Sequence, residues 1–167
     1  MTQDHASHAS VAHDQLVGDL TSIRHFFLRV SSCFTEDDSG FAPAEGMMTT
    51  AQQIAHTAQT VDWFVDGAFS PEGFGLDFES MAAETAAVTS IAAAREQLSA
   101  ALERAVELLG SKTPEELAEA LPAGPIMGGE PRYAVLVGLI DHTAHHRGAL
   151  TVYARLCGHT PPMAYGE

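Results

Sequence analysis

The apolar residues of this chain fall on helical stripes. Leu16, Leu20, Ile23, Phe27, Val30 and Phe34 recur at alternating steps of four and three, the spacing that lines one face of an α-helix. The acidic turn Glu36-Asp37-Asp38-Ser39-Gly40, followed by Pro43, breaks that period. A second stripe through Ala51, Ile54, Ala58, Val61 and Val65 predicts a helix from about Met47 to Asp66, closed by Gly67 and Ser70-Pro71. The stretch from Pro71 to Asp77 reads as a loop. Val88, Ile91, Ala94, Leu98, Ala101, Ala105 and Leu109 then mark a long third helix that stops at Gly110.

Thr113-Pro114-Glu115-Glu116 combines an N-cap, a proline at the first helical position and a glutamate three residues after the cap, which predicts a short helix through Leu121. Pro122 to Gly129 is a Gly- and Pro-rich loop. Pro131 can open a last helix that runs through a histidine cluster to Leu156 and ends at Gly158, and Pro161-Pro162 forbids its extension. The sequence offers no strand pattern, hairpin signal or internal repeat. Long helices with single apolar stripes must bury them against one another, so the expected fold is all-α, a four-helix bundle.

A chain of 167 residues fits one domain. Such a chain buries about 70% of the surface its unfolded form exposes, enough for stability without a covalent staple. The bundle is expected over residues 13–167. Residues 1–12, MTQDHASHASVA, are small and polar, have no basic start or apolar centre, and read as a flexible N-terminal segment and not as an export signal.

The charge balance excludes some partners. Twenty-two acidic residues against eight basic ones give a formal charge of −14, and the basic residues are scattered. Nucleic acid and anionic membrane surfaces would be repelled. The apolar run Tyr133–Ile140 is less than half of the roughly 20 residues a membrane span needs. Cys33 and Cys157 are expected to be buried, reduced thiols, and the protein to be cytoplasmic.

The segment Asp141-His142-Thr143-Ala144-His145-His146-Arg147-Gly148 carries the candidate chemistry. His142 and His146 are four apart, so on a helix they share a face and can address one cation. A third ligand would come from another helix, and His56 is the candidate, flanked on its own face by Gln52, Gln59 and Trp63. Three neutral imidazoles leave an open coordination position on a divalent ion, the pattern of a reactive site. The competing readings are a core-edge histidine for His56 and an exposed polar face for the other two. His145 lies about 60° around the helix from His142 and is placed as an orienting neighbour. Gly148, inside a helix, suggests a second backbone packed close against it. Tyr153, two turns beyond His146 on nearly the same face, reads as core or as a proton donor, and Arg147 as a surface ion pair or an anchor for an anionic substrate.

HTAHHRGAL, then VYARLCG, the Pro-Pro pair and the Tyr-Gly ending resemble the end of DinB-family (DinB/YfiT-like) proteins. In that family the last helix carries His, three residues, then His-Arg-Gly, and an isolated His in the second helix, here within QQIAHTAQTVDWF, joins them. The resemblance implies an up-down-down-up four-helix bundle, often a homodimer, holding nickel or zinc on His56, His142 and His146. Some relatives resemble thiol-dependent transferases or isomerases that use a low-molecular-weight thiol, and with the open three-histidine set the expected function is a metal-dependent enzyme acting on a small molecule, a thiol-dependent transferase or a hydrolase. The alternatives are a non-catalytic metal-binding or ligand-sensing bundle, and a helical interaction module with an incidental histidine cluster. Ala149 stands where a Gln commonly follows Arg-Gly, which leaves the substrate open.

Overall fold

A computed structural model describes the backbone of residues 2–166 and the side chains of residues 14–166. The N-terminal segment expected at residues 1–12 lies outside the residues whose side chains are described. α1 (Thr2–Ser31) buries Leu16, Leu20, Ile23, Phe27 and Val30, the stripe read from its period. Phe34, the last member of that stripe, stays buried although the helix has already stopped.

α2 (Thr50–Phe69) starts later than Met47 because Thr49 caps it. The Thr49 hydroxyl accepts from the Gln52 amide at 3.3 Å, and Gln52 Oε1 accepts from the Thr49 amide at 2.9 Å. That reciprocal box satisfies two amides that would otherwise lack partners.

The third long helix, expected from Val88 onward, begins only at Ile91, and a separate short helix precedes it. α3 (Phe78–Ala86) is capped by Asp77, and α4 (Ile91–Gly110) by Ser90, so Val88 lies in the turn between them. A carboxylate distant in sequence fixes the break. Glu36, in the 3₁₀ turn Glu36–Asp38, accepts from the amides of Ile91 and Ala92 at 3.2 and 2.6 Å. These are the first amides of α4, which have no partner within the helix. α5 (Pro114–Ala118) has the expected capping box between Thr113 and Glu116. After the 3₁₀ turn Arg132–Ala134, α6 (Val135–Leu156) closes with Gly158 at φ +84° and His159 N–H donating to Ala154 at 2.8 Å.

Contacts between side chains set the directions of the helices. Arg24 meets Ser99 and Glu103, and Arg95 meets Ser31, so α1 and α4 are antiparallel. Asp62 pairs with Arg104, and Gln53 of α2 reaches both Tyr153 and His146 of α6. With Phe64 against Gly138, the last set makes α2 antiparallel to α6. α1 runs alongside α6, with the Arg147 guanidinium over Phe26 and the Arg29 side chain bonded to the Met163 carbonyl. The order around the bundle is α1, α4, α2, α6, and the directions are up, down, down, up for α1, α2, α4 and α6. The only β-type pairing among the described residues is an isolated bridge between Ala120 and Pro131.

One core runs through the bundle, with Leu20, Phe27, Ile54, Leu98, Leu102, Leu139 and Leu150 essentially inaccessible. The close approach expected at Gly148 occurs instead at Gly138. A Cβ at Gly148 would meet nothing within 4 Å, whereas at Gly138 it would stand 2.6 Å from the Phe64 ring. Gly148 faces outward, so its place in the helix has no explanation within the chain.

Candidate metal centre

Antiparallel packing of α2 on α6 brings His56 opposite His142 and His146. The ring centroids of His56 lie 5.1 and 4.9 Å from those of His142 and His146, which are 4.4 Å from each other. One ring nitrogen from each residue lies within 4.8 Å of the others. Nε2 of His142 is 3.3 Å from Nε2 of His56. Two imidazole nitrogens bound tetrahedrally at the usual zinc distance are separated by about 3.4 Å, so this spacing suits a shared ion.

The electrostatics suit a cation ligated by neutral imidazoles. Burial lowers the His142 pKa to about 4, helped by His56 and His145 and opposed by the Asp141 carboxylate. Burial and the neighbouring His142, His56 and His145 lower His146 to about 3, and burial lowers His56 as well. All three offer lone pairs near neutral pH, when a metal needs them. His142 Nδ1 is buried and has no hydrogen-bond partner among the described residues. An imidazole with one nitrogen unpaired and the other pressed against a second imidazole is poorly satisfied by protein groups alone, and an ion between the rings would satisfy the Nε2 side.

The polar residues flanking His56 serve other ends. Gln52 Nε2 donates to the Ala86 carbonyl, Gln59 bonds Glu84 and Thr85, and Trp63 Nε1 donates to the Gly75 carbonyl. Together they tether α3 and the loop before it to α2. The residue that touches the imidazoles is Gln53, whose Oε1 is 2.6 Å from His146 Nδ1. Its signal in the sequence is a glutamine placed among Ala51, Ile54, Ala55 and Ala58, and the structure buries it.

His145 stands edge-on to His146 with ring centroids 5.0 Å apart. Arg147 makes no ion pair among the described residues; its guanidinium lies over the edge-packed pair Phe26 and Tyr165, 5.6 Å from each ring, and donates to the Tyr165 hydroxyl at 3.1 Å. Cys33 and Cys157 are free and half-buried, less enclosed than expected. Burial raises both thiol pKa values, the opposite of an activated nucleophile.

A bundle in this order, with imidazoles from its second and last long helices facing one another, defines a class of helical proteins. A sequence profile described as the DinB superfamily matches residues 19–150, and the chain belongs to that superfamily. It is 25% identical over 155 residues to the uncharacterized protein YjoA of Bacillus subtilis, covering 92% of this chain and 96% of that one. Among solved structures it is similar to a DinB-like protein from Bacillus cereus, with a TM-score of 0.73, 22% identity, and 91% and 97% of the two chains covered. The crystal structure of B. subtilis YjoA, at a TM-score of 0.64 and 21% identity, covers 92% of this chain and 99% of its own.

Proposed function

We propose that His56, His142 and His146 bind one divalent metal ion and that the protein is a metal-dependent enzyme acting on a small molecule. The observation that carries this reading is the convergence of one nitrogen from each imidazole within 4.8 Å, across two helices. Nickel and zinc are the proposed ions, since neutral imidazole ligation suits both. Such an ion supplies Lewis-acid chemistry, lowering the pKa of a water or thiol towards neutrality.

A low-molecular-weight thiol as co-substrate of an S-transferase, or water as that of a hydrolase, fits the absence of a protein thiol from the three-histidine group. Cys157, eleven residues after His146, stands about 16 Å farther along the α6 axis. The second reading is a non-catalytic metal-binding or ligand-sensing bundle. It is favoured by the make-up of the group, which among the described residues contains histidines and no carboxylate to act as a general base.

The test is elemental analysis of tag-free protein expressed in metal-replete medium, with His142→Ala and His56→Ala beside it. One ion per chain is expected in the parent and none in the variants. Turnover of thiol and electrophile panels that chelator abolishes would favour the enzyme, whereas stoichiometric metal without turnover would favour the sensor. A parent chain without metal would end both readings.

A homodimer is proposed through the outer face of α6. Val137, Ile140 and Val152 there are 71%, 40% and 56% exposed, and Gly148 lies among them with open space above it. No helix among the described residues is long and apolar enough to cross a membrane. A cytoplasmic location remains part of the proposal.

A further inference from the structure

The buried hydrogen bonds behind His146 form a chain with one possible direction. Tyr153 Oη lies 3.0 Å from the carbonyl oxygen of Met48 and 3.3 Å from Gln53 Nε2, and Gln53 Oε1 lies 2.6 Å from His146 Nδ1. A carbonyl can only accept, so the Tyr153 hydroxyl must donate to Met48. The hydroxyl is then left as an acceptor, which the Gln53 amide NH₂ fills. That turns Gln53 Oε1 towards His146, and an amide oxygen also can only accept. His146 must therefore carry its proton on Nδ1, leaving the lone pair that a metal needs on Nε2.

We propose that Gln53 and Tyr153 are positioning residues that fix the His146 tautomer and ring orientation for a metal ion, with the backbone carbonyl of Met48 as the fixed end of the relay. The proposal rests on the metal-binding reading above. Three features support it beyond the distances. Tyr153, His146 and Gln53 are 2%, 8% and 9% exposed, so water does not compete for these bonds. The Phe41 ring packs edge-on against Tyr153 with centroids 5.9 Å apart, which holds the phenol in place. Met48 directly precedes the Thr49 cap, so the same carbonyl that orients Tyr153 belongs to the turn that starts α2 and sets the height of His56. With the amide of Gln53 reversed, its NH₂ would face Nδ1, and the imidazole proton would move to Nε2 and block the ligand position.

The support is asymmetric. His146 has this relay, whereas the corresponding nitrogen of His142 has no partner among the described residues. His146 is thus the pre-oriented ligand of the three.

The test uses the full-length chain, first without metal. Long-range ¹H–¹⁵N correlation of the His146 ring is expected to show the Nδ1–H tautomer in the parent, a loss of that preference in Gln53→Leu, and its retention in Gln53→Glu, where a carboxylate oxygen still accepts. Tyr153→Phe, which frees the amide to reverse, should give a mixture of tautomers and serves if Gln53→Leu fails to fold. Cobalt(II) is then titrated against a competing chelator and followed by its visible bands. Partners behind a ligand contribute about 10- to 100-fold in metal affinity, and Gln53→Leu should lose that much, with Gln53→Glu close to the parent. An Nε2–H tautomer in the parent, or a Gln53→Leu variant with parental tautomer and cobalt affinity, would overturn the proposal. A parent with the Nδ1–H tautomer that takes up no cobalt would overturn the metal reading and leave the hydrogen-bond relay standing.

Discussion

Gly138 of α6 lies directly against the ring of Phe64 of α2, so close that a single added carbon would stand 2.6 Å from it. Gly138 is one helical turn before His142, so this contact sets how near α6 comes to His56. Gly138→Ala gains helix propensity of about 1 kcal/mol. It also forces overpacking, typically about 1 to 3 kcal/mol of strain, which outweighs that gain. The expected result is a lower Tm together with weakened metal binding. Replacing Phe64 by Leu in the same chain should restore most of both losses, and a double-mutant cycle would measure the coupling. Additive effects of the two substitutions would show that the contact does not set the spacing.

Depressed histidine pKa values make a prediction about protons. With His142 at about 4 and His146 at about 3, these imidazoles are already neutral at pH 6. Three ordinary histidines would release about two protons per ion bound at that pH. Here the release should be well under one. Calorimetric titration of zinc in buffers of different ionisation enthalpy checks this, and a release near two would contradict it.

The same shifts bear on acid stability of the metal-free protein. Well above pH 6.5 His142 and His146 are neutral in both folded and unfolded chains, so they add no pH dependence there. As the pH falls below 6.5, the unfolded chain takes up protons that the folded one refuses until about pH 4 for His142 and pH 3 for His146. Folding stability should therefore decline across that window. In His142→Ala the decline measured by urea denaturation should be shallower.

Glu36 binds the first amides of α4 from across the bundle, and those hydrogen bonds, with Ser39, hold its pKa below the usual glutamate value. A carboxylate lowered in the folded state contributes stability above its unfolded pKa and loses it as the pH falls through the folded one. Glu36→Ala should lower the Tm and speed amide exchange at Ile91 and Ala92 while leaving the α5 cap protected. Unchanged exchange at those two amides would remove Glu36 from this role.

Gly148 faces outward with open space around it. In a monomer, Gly148→Ala should stabilise the helix by about 1 kcal/mol. In a homodimer through this face the gain should shrink or reverse, and Val152→Glu should shift sedimentation to the monomer. Equal sedimentation of parent and variant would remove α6 as the interface.

The periodic stripes, the capping box at Thr113 and the stop at Gly158 are determined within a few residues, which is why the bundle, its core and the shared face of His142 and His146 were legible in the sequence alone. The division between α3 and α4 was less so, because Val88 continues the apolar period and the amides of α4 are capped in part by Glu36, more than fifty residues away. Tertiary structure also decided the role of the two glutamines. Gln52 and Gln53 differ by about 100° around α2. Only the docking angle against α6 determines that Gln53 reaches His146 while Gln52 faces α3. The close approach at Gly138 instead of Gly148 has the same origin: a glycine in a helix shows that a side chain is missing, and the neighbouring helix determines whether anything fills the space.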